Sequence, residues 1–274
     1  MNKAQFFAAQ ALLVITCASG WSVEPATPPK IDSAAKLDSP LAGLPSNPAA
    51  HLEKLRALGD DSWLELGSPA PDPKWGKARG RSWTPEMILA PELRGAFFMG
   101  TGQHAFVKPD GHYQDDLWLY DINAHRWLCV YPGTPKDLKL SLDTRGFEVN
   151  AKGEPIPVDA TGHATCNSTY DTDRRKYMFM PRVMPADWVG RHVPQRAEWM
   201  AKGKPASCRH PWIYDPVAGK WDRRFVEGPG PDGAHCSMLN YVPPMKKAYF
   251  LYKDGKMWSY DWDASQWTKH ATQG

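Results

Sequence analysis

Charge of one sign, long apolar runs and cysteine are all scarce in this chain of 274 residues. Its 33 Lys and Arg against 30 Asp and Glu leave a net charge of +3, which directs no strong field at nucleic acid or an anionic membrane. The one clear apolar run, residues 6–15, is too short to span a bilayer, so no transmembrane span is predicted. No Cys-x-x-Cys pair, His-Glu-x-x-His, Gly-x-Ser-x-Gly or Gly-rich phosphate loop occurs, so neither a metal site nor a catalytic residue is predicted.

What the chain has in excess is tryptophan, proline and glycine. The 26 Pro and 22 Gly interrupt it too often for long helices, which excludes helical bundles and coiled coils. The 13 Trp argue against disorder, because each supplies a large area to bury. A short-stranded all-β protein is the fold class that remains.

The first residues predict export. Residues 1–20 place Lys3 before an apolar stretch and then small residues, which is the layout of a secretory signal peptide. The expected location is therefore secreted or periplasmic, with lipid anchoring at Cys17 as a minor alternative and an ordinary buried helix as another. Residues 21–45 are predicted to be a Pro/Ser-rich linker.

Residues 46–59 predict the one helix, since Asn47 can cap it and Gly59 can end it. Four cysteines follow the leader, and in an exported protein they allow three disulfide pairings that the sequence does not separate. Buried free thiols are the equal alternative for these residues: Cys129, Cys166, Cys208 and Cys236.

An internal repeat is the most informative feature. The pattern W-x-Y-D-x5-W occurs three times with unchanged spacing. Before each copy comes a strand end, a turn carrying Arg or Lys, and an apolar strand with Phe at the same place. The repeated residues are Trp118, Tyr120, Asp121 and Trp127; Trp212, Tyr214, Asp215 and Trp221; and Trp258, Tyr260, Asp261 and Trp267.

The third copy indicates what one repeat is, because it carries no insertion. It predicts four strands at about 235–241, 247–252, 257–261 and 266–270, with an Asp254-Gly255 turn between the second and third. The period of two places Trp258 and Tyr260 on one face. Asp261 begins the last turn, where its carboxylate can accept backbone N–H bonds.

These repeats resemble kelch motifs, the blades of a β-propeller in the galactose oxidase/kelch-like superfamily. The resemblance covers about 81–270, with blades at about 81–133, 163–227 and 235–270 of a region 60–274. It implies an all-β propeller of four-stranded antiparallel blades. The Gly-Gly pair of kelch repeats is approached only by Gly100 and Gly102, so these repeats are degenerate and the expected propeller is partial.

Three recognisable blades are too few, because propellers typically close with about 4–8. A truncated chain or fragment is the favoured explanation. An open arc completed by another chain, or a diverged blade hidden in 134–162, are the alternatives.

The resemblance also suggests where a ligand would bind. First strands line the channel of a propeller, so His104, His163 and His235 are predicted as channel-facing binding residues; the alternative is that they hold turns between blades. A galactose-oxidase-like copper site would draw on His163, His235 and the set Cys166, Tyr170 and Tyr241. The carboxylate pair Asp115-Asp116 is expected in a turn.

The predicted function is a non-catalytic protein- or glycan-binding module without a cofactor, acting through its loops and insertions. The alternative is a carbohydrate-active enzyme on the same fold, either a copper oxidase or a mutarotase or lyase. A sequon at Asn167 falls in a predicted inner strand, where glycosylation is not expected.

Overall fold

Backbone positions are described by the computed structural model for residues 39–81, 86–99, 107–157, 166–181, 194–202, 209–232, 237–252 and 254–271. All of them belong to the unit Asp32–Gly274. Outside these ranges lie the predicted signal peptide, most of the linker, and the residues Cys17, His104, His163, Cys208, His235 and Cys236. No helix within the ranges is long and apolar enough to cross a membrane.

Each repeat folds into a four-stranded antiparallel sheet, and the all-β prediction is confirmed. Sheet 1 contains β1 (Ile88–Ala90), β2 (Gly95–Met99), β3 (Leu117–Asp121) and β4 (Arg126–Tyr131). A small hairpin of β5 (Ser141–Leu142) and β6 (Glu148–Val149) follows. Sheet 2 contains β7 (Ser168–Asp171), β8 (Lys176–Phe179), β9 (Trp212–Asp215) and β10 (Lys220–Arg223). Sheet 3 contains β11 (Met238–Val242), β12 (Lys247–Leu251), β13 (Met257–Asp261) and β14 (Gln266–His270).

The three sheets fall inside the ranges predicted for the repeats, and strands pair in chain order within each of them. The hairpin β5–β6 is a two-stranded sheet. Residues 134–157, the described part of the segment that was a candidate for a hidden repeat, therefore contain no further four-stranded sheet.

Among the described residues, α-helix occurs in two short pieces. The helix predicted over 46–59 is only α1 (His51–Arg56), and no side chain caps it. Two residues before it, Ala49 N donates to Asn123 O at 2.9 Å, which ties this segment to the β3–β4 turn. A second helix, α2 (Pro194–Ala201), lies in the insertion between β8 and β9 and was not predicted.

The aspartate of each motif closes a tight turn, as predicted. Asp121 Oδ1 accepts from Ala124 N at 3.1 Å, Asp215 Oδ1 from Ala218 N at 3.1 Å, and Asp261 Oδ1 from Ala264 N at 3.0 Å. A carboxylate at this position satisfies backbone donors that the turn would otherwise leave unpaired.

The turns share a second property, a residue in the left-handed region just before the returning strand. Arg94, Arg175 and Lys246 take φ of 49°, 55° and 51° in the first turn of each sheet. His125, Gly219 and Ser265 do the same in the last turn of each sheet, with φ of 50°, 64° and 50°. Only one of the six is glycine, so five side chains hold a conformation that costs an L-residue about 1 kcal/mol.

Each sheet has two different faces. Tyr120 pairs with Trp127, Tyr214 with Trp221 and Tyr260 with Trp267, and directly opposed residues share a face. We call this the aromatic face of each sheet. The other side, the opposite face, carries Phe97 in sheet 1, Met178 in sheet 2 and Tyr249 in sheet 3.

The sheets pack in series, the aromatic face of one on the opposite face of the one before. Phe97 of sheet 1 lies 5.8 Å from the Tyr170 ring, 5.2 Å from Tyr177 and 6.5 Å from Tyr214, all on sheet 2. Sheet 2 in turn buries its opposite face under sheet 3, in a cluster that includes Met178, Met180, Ile213, Leu239, Phe250, Trp258, Tyr260 and Trp267. Each such side chain contributes roughly 1.5–3 kcal/mol when fully buried, so these two junctions form the core.

The first strands of the sheets lie side by side. Leu239 N donates to Cys166 O at 2.8 Å, and Tyr241 N donates to Thr169 Oγ1 at 2.7 Å, which joins β11 to β7. Ser168 N donates to Glu86 Oε2 at 3.4 Å, which joins β7 to the segment before β1. We call these first strands the inner strands; β7 and β11 run parallel to each other, with a parallel bridge between Cys166 and Met238.

The left-handed turn residues allow a test of this backbone. Lys246→Gly removes the penalty of positive φ, and the larger entropy of the unfolded chain offsets part of the gain. We expect the free energy of unfolding to stay equal or to rise by up to about 1 kcal/mol. The neighbouring control, Lys247→Gly in β12, should lower it by about 1 kcal/mol. Urea unfolding midpoints give both values, and equal losses would contradict the turn geometry.

Candidate functional site

Every long connection leaves the sheets at the same end. The six tight turns occupy one end, which we call the turn end. Because strands alternate in direction, the remaining connections emerge at the other end, here the loop end: the short β12–β13 turn and the long connections 100–116, 132–167, 180–211 and 224–237. Binding residues are concentrated in loops held by a rigid scaffold, so the loop end is where a site is expected.

A cavity of about 210 Å³ opens between three of these loop-end segments. Tyr113 forms one wall, Thr134 to Leu140 form a second, and Gln195 of α2 forms the third. Leu140 N donates to Gln195 Oε1 at 3.2 Å, which fastens the helix to the second wall. Leu138 and Leu140 pack against a small cluster centred on Tyr113 and Ile156.

The first two walls are held together by backbone contacts that require a glycine. Tyr113 N donates to Thr134 O at 2.8 Å. Gly133 has a φ of +97°, and a Cβ there would lie 2.2 Å from the Tyr113 carbonyl oxygen. No side chain fits, so this close approach depends on Gly133.

Asp115 is hydrogen-bonded to Thr134, which lines the cavity. Its Oδ1 accepts from Thr134 N at 2.8 Å and its Oδ2 accepts from Thr134 Oγ1 at 2.6 Å. Burial raises the pKa of the Asp115 carboxyl to about 6, against the two Thr134 hydrogen bonds, and the neighbouring Asp116 adds to the increase. The prediction that this carboxylate pair lies in a turn is wrong, because the two residues directly precede β3 and both side chains are fully buried.

Asp116 is the centre of a buried charge network. Its carboxylate accepts from Trp118 Nε1 at 2.6 Å and from Lys108 Nζ at 3.4 Å, and pairs with the buried Arg81 guanidinium. Lys108 Nζ also donates to Pro132 O at 2.6 Å. A buried charge is tolerated when it is paired and hydrogen-bonded, and this network fixes the loops to sheet 1.

A second polar group lies at the loop end of the inner strands. Burial raises the pKa of the Glu86 carboxyl to about 8, opposed by the hydrogen bond from Ser168 N. The Tyr177 hydroxyl donates to Ser168 Oγ at 2.7 Å, and Ser237 Oγ donates to Asn167 Oδ1 at 2.6 Å. Asn167 is fully buried, so its sequon is closed to modification in the folded chain.

The predicted site residues are distributed as follows. The three histidines predicted to face a channel lie outside the described residues, and Glu86, Asn167 and Ser237 are among the described polar groups just before the first strands of the sheets. The twelve motif residues act within the scaffold: Trp118, Trp212 and Tyr260, for example, are at most 2% exposed. Trp267 Nε1 donates to Arg209 O at 2.8 Å, which anchors a loop-end connection to sheet 3.

The three described residues of the set proposed for a copper site, Cys166, Tyr170 and Tyr241, are not brought together. The Tyr170 hydroxyl donates to Glu92, and the Tyr241 hydroxyl donates to Asp173 Oδ2 at 2.5 Å, both at the turn end. Cys166 precedes β7 and therefore lies at the loop end, so the strand separates it from both hydroxyls. Among the described residues, no three His, Cys, Asp or Glu side chains gather as a metal site.

The two described cysteines, Cys129 and Cys166, are free thiols, so a disulfide joining them to each other is ruled out. Burial raises the pKa of the Cys129 thiol to about 12, with Asp116 and Asp72 adding to the increase. A thiol with so high a pKa is a poor nucleophile near neutral pH.

Comparison with known proteins assigns no family to the chain. No protein-family model matches it, and no curated protein matches it. Among solved structures it is similar to an auxiliary nutrient binding protein from Bacteroides thetaiotaomicron, at 12% sequence identity and a TM-score of 0.27. The match covers 71% of this chain and 43% of that chain, so this chain spans less than half the length of that protein.

The pKa of Asp115 predicts how stability depends on pH. The pKa of this carboxyl is higher in the folded chain, at about 6, than its ordinary value of 3.8 in the unfolded chain. The carboxyl therefore stabilises the folded state below pH 3.8, and this stabilisation is lost as the pH rises through about 6. Asp115→Asn should therefore flatten the fall in unfolding free energy between pH 4 and 6, by on the order of 3 kcal/mol.

The matched variant is Thr134→Val, which removes the hydroxyl donor to Asp115 and keeps the backbone donor. We expect it to steepen the same fall. Urea unfolding at a series of pH values measures all three proteins. An Asp115→Asn profile parallel to that of the parent chain would contradict the assigned burial.

Proposed function

We infer that the chain is a kelch-like β-propeller protein that binds a ligand at its loop end without transforming it. The observation that carries this inference is the one-sided distribution of the connections. The turn end is made of six tight turns, whereas the insertions, the cavity and the two carboxyls with raised pKa, Glu86 and Asp115, lie at the loop end.

The propeller part of the proposal is supported by the way that the sheets repeat. Each sheet is a four-stranded meander whose first strand lies beside the first strand of its neighbour. The aromatic face packs on the preceding sheet at both junctions. Radial repetition of such sheets is the arrangement that buries both faces of each one.

The chemistry of the cavity favours a glycan over a protein as the ligand. A volume of about 210 Å³ suits a small ligand or the end of a chain. Lys136, Asp137 and Gln195 supply donors and acceptors for hydroxyl groups, and Leu138 and Leu140 supply apolar surface for the C–H face of a sugar ring. We propose a saccharide terminus as the ligand class, and a secreted or periplasmic location from residues 1–20.

The test is a binding survey with free saccharides. Saturation-transfer NMR with a panel of hexoses, N-acetylhexosamines, uronic acids and sialic acid should show binding of at least one member. Gln195→Ala and Asp137→Ala should each raise the dissociation constant of that sugar about tenfold, which corresponds to about 1.4 kcal/mol of binding free energy.

The control is Lys246→Ala, an exposed side chain at the turn end, which should leave the affinity unchanged. Binding that survives both cavity variants, or that is lost in the control, would place the site elsewhere. The absence of any saccharide signal would overturn the glycan assignment, and stoichiometric copper in the purified protein would overturn the non-catalytic one.

A further inference from the structure

The series of three sheets leaves apolar side chains uncovered at both of its ends. On the aromatic face of sheet 1, Met87 is 45% exposed and Leu89 is 54% exposed. On the opposite face of sheet 3, Met238 is 45% exposed and Leu251 is 44% exposed. We call these two surfaces the head patch and the tail patch. Apolar surface that is grouped in this way marks an interaction site more often than scattered exposure does.

The equivalent positions are less exposed where a neighbouring sheet is present, and of them Tyr241, the equivalent of Leu89 in sheet 3, is partly buried. Aligning the left-handed turn residues makes Leu89 equivalent to Tyr170, which is 4% exposed, and Met87 equivalent to Leu239, which is 0% exposed. At the tail, Leu251 is equivalent to Met180, which is 0% exposed. The exposure of both patches therefore results from a missing neighbour and not from a change in the repeat.

The two patches are complementary by the packing rule of the chain. Tyr170, at the head position of sheet 2, stacks on Phe97, at the tail position of sheet 1, with 5.8 Å between ring centroids. Leu89 is the head equivalent of Tyr170, and Tyr249 is the tail equivalent of Phe97. A head patch placed on a tail patch would thus repeat a junction that the chain already makes twice.

Residues 39–81 cover a different part of sheet 1 and leave the head patch accessible. Ala70 N donates to His125 O at 2.9 Å and Trp127 N donates to Ala70 O at 2.8 Å, which covers the outer edge at β4. The Arg81 guanidinium lies 4.6 Å from the Phe98 ring centroid, over the middle of the sheet. The part of sheet 1 that these residues leave uncovered is its first strand, β1. In the two existing junctions, the contacts between neighbouring sheets also involve first strands.

We propose that two copies of this chain associate head to tail, with the head patch of each on the tail patch of the other. A heterologous contact forms a closed ring when its rotation closes, and two copies supply six sheets. Six lies within the range of about 4–8 blades that closed propellers use. The inference rests on the proposed propeller fold and is independent of ligand binding, because both patches lie on sheet faces.

The first measurement is the molar mass in solution, by sedimentation equilibrium or light scattering, of the full chain. We expect twice the mass of one chain at micromolar concentration. Leu89→Glu alters the head patch and Tyr249→Lys alters the tail patch, and each alone should give a monomer, because a buried unpaired charge opposes association.

Mixing the two variants is the decisive step. In a mixed pair, one junction has two native patches and the other brings the new Glu opposite the new Lys. We therefore expect the dimer to be restored, with a dissociation constant at least tenfold tighter than that of either variant alone. Recovery on mixing also shows that both variants are folded.

Val217→Lys is the control, since Val217 is 41% exposed in the β9–β10 turn, away from both patches, and it should leave the dimer intact. A parent chain that stays monomeric at all concentrations would overturn the proposal. So would dimers that persist in Leu89→Glu and Tyr249→Lys, or a mixture that remains monomeric.

Discussion

The structure depends on one constraint: a four-stranded sheet with apolar side chains on both faces must be covered on both. Between the sheets the chain meets it by placing the aromatic faces of sheets 2 and 3 on the opposite face of the sheet before, where Phe97, Met178 and Ile213 are buried. Tryptophan and tyrosine suit the aromatic face because they fill a large area and pair edge to face within it, as Trp212 and Trp221 of sheet 2 do with ring centroids 6.1 Å apart. The aspartate of the motif closes the turn that brings the next strand back.

This packing divides the molecule into two ends with different uses. Tight turns at one end leave little room for variation, since their left-handed residues and aspartates are set by the hairpin geometry. At the other end the connections are free to lengthen, and there the chain places a cavity together with buried groups such as Asp116 and Arg81 that hold its walls. The scaffold and the proposed binding surface are therefore separate in sequence as well as in space.

Much of the scaffold follows from the sequence, because its signals are local and repeated. The strands of the third repeat, the Asp261 turn and the shared face of Trp258 and Tyr260 all follow from spacing alone. The contacts that support the cavity do not follow from the sequence, since Asp115 and Thr134 are 19 residues apart and meet only in the folded chain. Residue types alone could not show whether the predicted copper ligands lie together, because strand direction separates Cys166 from the hydroxyls of Tyr170 and Tyr241. Helix α2 lies in an insertion that has no counterpart in the other repeats, and its pattern of apolar residues did not indicate a helix.

The central claim is that the sheets stack in series through their aromatic faces. Its most direct test is a nuclear Overhauser measurement on protein with selectively labelled Phe and Tyr rings. We predict cross-peaks from Phe97 to Tyr170 and Tyr177, whose ring centroids lie 5.8 and 5.2 Å away, and their loss in Phe97→Leu. Cross-peaks from Phe97 confined to residues of its own sheet would contradict the account.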